Sequence, residues 1–223
     1  MVACRPFCVM AQKRLEGHAC PVYSCAMRIL LHLCCGPCGL MPTMRLREEG
    51  FELAGFFYNP NIHPLTEYLR RRESVLLAAK KLDLPLLLPD QDDPRTAWNL
   101  ARWLRDAHRP DLVPQGPEST DRCDFCYADR LMLAAQCAKE GGFDGFSTSL
   151  LYSLMQRHNA IRTQGEAAAA RYDIHFIYRD FRPDWQAGID LSKDWELYRQ
   201  NYCGCIYSEA DRFTKKLDRL CSI

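Results

Sequence analysis

The run Ile29-Leu30-Leu31-His32-Leu33 is apolar apart from one histidine, and it leads without a gap into Cys34-Cys35-Gly36-Pro37-Cys38. A short apolar run bounded by turn residues reads as a strand buried on both faces, and Gly36-Pro37 opens a helix after it. A strand buried on both faces needs helices to cover it and crossovers to return the chain, which points to a parallel sheet. The rest of the pattern supplies both. Gly36 to Glu49 reads as a helix closed by Gly50, and Leu53 to Tyr58 as a second strand stopped at the turn Asn59-Pro60-Asn61. Pro64 to Leu82 reads as a helix and Leu86 to Leu88 as a short strand. Asp92 to Ala107 carries Trp98, Ala101 and Leu104 at helical spacing, and His108 to Thr120 reads as a loop rich in proline and polar residues. Asp121 can cap a helix that runs to about Glu140 and ends at Gly141-Gly142. A strand over Phe143 to Thr148, a helix over Gln156 to Tyr172 and a fifth strand over Ile174 to Tyr178 follow, then helical segments around Trp185 to Tyr198 and Tyr207 to Leu220.

This alternation predicts an α/β protein with a Rossmann-like, mostly parallel sheet and helices on both faces. With 223 residues and 48% apolar composition, the chain supports one large core rather than two full domains. The patterned domain is residues 27–223. The preceding 1–26 hold Cys4, Cys8, Cys20 and Cys25 without hydrophobic periodicity. They read as an extension, disordered or mis-assigned with translation starting at Met27, although four cysteines could also bind zinc.

In a doubly wound sheet, ligands sit beyond the carboxyl ends of the strands. The unusual residues of this chain fall there: the cysteines after the first strand, Asn59-Pro60-Asn61 after the second, Ser147-Thr148-Ser149 at the fourth and Arg179-Asp180-Phe181-Arg182 after the fifth. One shared metal site at these ends is the economical reading.

Thirteen cysteines in so long a chain point to metal or redox chemistry rather than to a small disulfide-stapled secreted domain. No apolar stretch has membrane length, so a cytoplasmic protein without membrane contact is expected. Lysine and arginine total 29 against 28 acidic residues, so any nucleic-acid contact must come from a local patch.

Seven of the cysteines form three groups: Cys34, Cys35 and Cys38; Cys123 and Cys126; Cys203 and Cys205. Cys123 and Cys126 stand near a helix start, where the helix dipole favours thiolates and an anionic cluster. The cysteines after the first strand can supply the remaining ligands of a four-thiolate site. Spacing alone fits structural zinc as well as iron–sulfur, and the location at the ligand crevice tilts the reading to iron–sulfur. Cys203-Gly204-Cys205 leaves a single residue between thiols, so a disulfide there would be strained and easily reduced, which suits electron transfer; two further metal ligands are the other reading. Cys137 reads as a core residue and Cys221 as a terminal thiol.

Five segments, LLHLCCGPC, GFFYNPNIHP, DRCDFCYADRL, YRDFRP and YRQNYCGCIYS, occur in this order between Met27 and Arg212 and together resemble the QueH family of epoxyqueuosine reductases. The resemblance implies a cobalamin-independent, two-electron reduction of epoxyqueuosine to queuosine at the wobble base of transfer RNA, with an electron donor it does not identify. It implies a [4Fe-4S] cluster on Cys34, Cys35, Cys123 and Cys126, a redox-active pair at Cys203 and Cys205, and a place for Cys38 on a second, mononuclear metal such as iron. Leu154-Met155 stands where family members often carry a proline and an aromatic residue.

Other residues have two readings each. Tyr58, Asn59 and Asn61 can bond substrate or merely shape a turn. His32 can tune a cluster or sit satisfied in the core. Asp180 can donate a proton near the epoxide or pair with Arg179 or Arg182. Arg70-Arg71-Arg72 with Lys80-Lys81, and Lys215-Lys216 with Arg219, are basic runs of which one is expected to contact RNA phosphates. The competing functions are a zinc-containing RNA-binding module without catalysis and an RNA-thiolating enzyme. The latter is disfavoured because Cys34-Cys35-Gly36-Pro37 replaces the phosphate-cradling loop that ATP needs.

Overall fold

The computed structural model describes residues 26–89, 98–107 and 121–221. The N-terminal extension and the predicted loop at 108–120 lie outside the described residues. Five strands form one sheet: β1 (Arg28–His32), β2 (Glu52–Phe56), β3 (Leu86–Leu87), β4 (Gly145–Thr148) and β5 (His175–Phe176). Their order is β3-β2-β1-β4-β5, and every pairing is parallel. The chain moves outward from β1 through β2 to β3, then returns to the other side of β1 for β4 and β5. The strand order therefore reverses between β1 and β4, where a crevice opens at the carboxyl ends.

Seven helices accompany the sheet among the described residues: α1 (Gly36–Glu48), α2 (Leu65–Leu82), α3 (Leu100–Asp106), α4 (Asp121–Glu140), α5 (His158–Tyr172), α6 (Trp185–Asp194) and α7 (Ile206–Cys221). Helix α1 packs against α2, α6 and β2, whereas α4 packs against α5, β1 and β4. Right-handed crossovers put these two groups on opposite faces, so the central strand is covered twice. Ile29, Leu30 and Leu31 are accordingly fully buried, each side chain contributing about 1.5–3 kcal/mol of hydrophobic stabilisation.

The elements differ from the sequence reading at their ends. Strand β5 pairs only at His175 and Phe176 because it is an edge strand with one neighbour, and short edge strands resist pairing with other chains. Helix α6 stops at Asp194 rather than reaching Tyr198, since Glu196 turns into the left-handed region at φ 54° and Leu197 bonds back to Ser192. A 3-10 turn over Ser149–Tyr152 follows β4 directly and displaces the start of α5 to His158. No helix among the described residues is long and apolar enough to cross a membrane.

Candidate active site

Cys34 leaves the end of β1 and meets the end of β4 across the crevice. Its backbone N–H donates to Ser149 Oγ at 3.0 Å, and the same hydroxyl lies 3.4 Å from Cys34 Sγ. Cys35 caps α1: its sulfur accepts from the backbone N–H of Cys38 at 3.3 Å, so the first turn of the helix orients one thiol with the amide of another. Gly36 permits this approach, since a Cβ there would lie 2.4 Å from Ser74 Oγ on α2. The sulfurs of Cys34, Cys35 and Cys38 all lie within 4.8 Å of one another and can hold a metal ion. Gln200 closes the group from the far end of the chain, donating through Nε2 to Cys35 Sγ at 2.9 Å and to Cys38 Sγ at 3.3 Å. Hydrogen bonds from Cys35 and Cys38 push the Cys34 thiol well below its ordinary range, and burial with the Cys34 neighbour pushes Cys35 up. An all-sulfur donor set of this kind, already sharing charge, fits a thiophilic metal.

Cys123 and Cys126 lie in the first turns of α4. Cys126 is buried, and burial pushes its thiol up against the opposing pull of Arg130. It packs with Cys205, Trp103 and Phe125 in a small apolar cluster under α3, which brings the second and third cysteine groups together. Neither Cys123 nor Cys126 joins Cys34 and Cys35 in a three-residue group within 4.8 Å; the compact triad has Cys38 instead. Cys203 is exposed and Cys205 buried, and both are free thiols. Gln156 Nε2 lies 3.5 Å from Cys203 Sγ while its Oε1 accepts from Tyr127 Oη at 2.7 Å.

Arg71 holds the Cys203-Gly204-Cys205 segment. Its guanidinium donates to Cys203 O at 2.9 Å and to Tyr202 O at 3.0 Å, and Nε pairs with Glu67 at 2.7 Å. Gly204 takes φ +121°, and a Cβ on it would come within 3.1 Å of Arg71 Nη1, so backbone and packing both favour glycine between the cysteines. Arg71 is only 1% exposed, which corrects its place in the predicted surface run: it belongs to the interior of the site and cannot contact phosphate. Arg70 and Lys81 stand over Tyr198 and Trp195, while Lys216 and Arg219 on α7 are exposed.

His32 is fully buried with both ring nitrogens used. Nε2 lies 3.1 Å from Tyr58 O, which can only accept, so the proton belongs on Nε2 and Nδ1 accepts from Thr148 Oγ1 at 2.9 Å. Burial and Arg130 lower its pKa to about 4, which keeps the ring neutral. His32 thus ties the ends of β1, β2 and β4 together. Tyr58, Asn59 and Asn61 are all buried. Asn59 Nδ2 donates to Leu33 O at 2.9 Å, one residue before the cysteine turn, and Arg102 donates to the Tyr58 hydroxyl at 3.1 Å. Asn61 Oδ1 is buried without a hydrogen-bond partner among the described residues. Asp180 accepts two side-chain bonds from Arg182, and this pairing lowers its pKa to about 2. This ion pair fits the other reading of Asp180, pairing with Arg182, and favours its carboxylate form.

Sequence reasoning missed Gln156, Gln200 and Arg130, as well as the inward role of Arg71. Gln200 and Arg130 both stand inside cysteine-bearing segments, and that proximity was the available signal.

The family described as "Epoxyqueuosine reductase QueH" matches residues 29–211 of this chain. The chain belongs to that family. A relative from Histophilus somni named epoxyqueuosine reductase QueH is 37% identical, the alignment covering 82% of this chain and 73% of the relative. Relatives with the same name from Acinetobacter baylyi and Thermotoga maritima are 36% and 34% identical, over 87% and 84% of this chain and 88% and 93% of theirs. The QueH match embraces all three cysteine groups and does not favour a zinc module without catalysis.

Proposed function

We propose that the chain is a cytoplasmic epoxyqueuosine reductase acting on transfer RNA in the last step of queuosine biosynthesis. The epoxide accepts two electrons and two protons, loses its oxygen as water and becomes the alkene of queuosine. What carries this reading is the Cys34-Cys35-Cys38 triad at the strand ends, with Cys126 packed against Cys205, in a chain belonging to this family.

In this reading Cys34, Cys35, Cys123 and Cys126 hold a [4Fe-4S] cluster, and Cys38 beside them binds a second, mononuclear iron. A four-iron cluster held by these four thiolates would supply single electrons. The chain's own residues do the rest. Ser149 and Gln200 direct hydrogen-bond donors at the sulfurs, and His32 and Asn59 hold the turn that carries them. Cys203 and Cys205 deliver the two electrons, becoming a disulfide as they release two protons, and an external electron donor restores the dithiol. Tyr58, Asn59 and Asn61 wall the base pocket, with Asn59 Oδ1 and Asn61 Oδ1 the acceptors left for substrate. Lys216 and Arg219 contact RNA phosphates, and the base itself supplies specificity.

The test is replacement of Cys203 or Cys205 by serine. Each variant should keep its iron and its binding of transfer RNA carrying epoxyqueuosine, while turnover with a chemical reductant is lost. A variant that loses iron would make these thiols metal ligands, and one that reduces the epoxide at the normal rate would remove them from the chemistry.

A further inference from the structure

Arg130 is 2% exposed on α4, and its charge has no carboxylate partner among the described residues. Its Nε donates to Cys126 O at 2.8 Å, its Nη2 to Cys126 Sγ at 3.2 Å, and the guanidinium carbon stands 5.8 Å from the Tyr127 ring centroid. The other buried arginine of the site, Arg71, has Glu67 as a counter-charge. A buried guanidinium whose hydrogen bonds, among the described residues, go to a thiol and a carbonyl is costly unless something anionic shares its surroundings. Its charge acts on the sulfurs of Cys126, Cys203 and Cys34, one from each of the three cysteine groups. Helix α4 therefore brings a fixed positive charge directly onto the Cys126 sulfur.

We infer that Arg130 is a positioning residue for electron transfer: the built-in counter-cation of the negatively charged iron–sulfur centre, hydrogen-bonded to the sulfur of one of its ligands. The inference rests on the iron–sulfur reading above. A cation beside a cluster, and a donor on a cluster sulfur, both stabilise the reduced form, which carries one more negative charge. Arg130 thus eases the acceptance of each electron.

The experiment compares the anaerobically purified full chain with Arg130→Met and Arg130→Lys, measuring iron and sulfide content and then the cluster's midpoint potential. Dithionite supplies one electron per cluster through a viologen mediator, and the reduced form is read by electron paramagnetic resonance. Arg130→Met should make the cluster at least about tenfold harder to reduce, a shift of about 59 mV to more negative potential for one electron, while Arg130→Lys keeps most of the wild-type value. Loss of iron in the methionine variant with retention in the lysine variant would support the same assignment, since only charge separates them. An unchanged potential in Arg130→Met, or a lysine variant as defective in iron as the methionine variant, overturns it. Wild-type protein without iron would instead overturn the iron–sulfur reading itself.

Discussion

Asp180 and Arg182 form a partly exposed ion pair two residues apart, with Asp180 also accepting from the Arg182 backbone N–H at 3.0 Å. Because the folded carboxyl is depressed, its contribution to stability is present above the ordinary value of 3.8 and fades as the pH falls toward about 2. Asp180→Asn should therefore leave the shape of the pH–rate profile unchanged between about pH 5 and about pH 8. Loss of one limb of the profile would show that the carboxyl titrates during turnover. The Cys34-Cys35-Cys38 triad was legible in the sequence because its thiols stand in a tight group at the end of an apolar strand. The hydrogen-bond partners of the thiols were not, since Gln156 and Gln200 are ordinary polar residues until the fold aims them at sulfur.

Helix α2 shows why local patterns mislead about charge. Arg70-Arg71-Arg72 looks like a solvated face, yet the helix turns Arg71 inward, where Glu67 one turn earlier neutralises it and the Tyr202 and Cys203 carbonyls use its remaining donors. The Tyr198 hydroxyl donates to the second Glu67 oxygen, so the pair is fully bonded. Those partners lie more than 100 residues away in sequence, beyond the reach of any periodicity. Removing one member of a buried pair costs about 3–5 kcal/mol because the other charge remains buried. Arg71→Met should lose about that much in urea unfolding, and Glu67→Gln combined with Arg71→Met should recover a large part of it. A double variant no more stable than the single one would place the cost in the lost Cys203 loop contacts instead. The strands, by contrast, were legible from their apolar runs, and only edge pairing and the Ser149–Tyr152 turn shortened or shifted the neighbouring elements.

At the scale of the whole molecule, the crevice between β1 and β4 follows from strand order, which the alternation of strands and helices implied only in outline. The reversal beside β1 brings Ser149 to Cys34, and the return of the chain after α6 brings Gln200 to the same thiols. All the described site residues lie between Met27 and Ile223, so a chain beginning at Met27 should fold, load its cluster and turn over like the full chain. Failure of a soluble truncation to hold iron would bring the first 26 residues into the site. The central claim is that these thiols build an iron–sulfur centre, and metal and sulfide analysis of anaerobically purified protein tests it most directly. The account predicts about five irons, four in the cluster and one on Cys38, and about four acid-labile sulfides per chain, with Cys123→Ala and Cys126→Ala each abolishing the cluster and its sulfide. Colourless protein with stoichiometric zinc and no sulfide would contradict it.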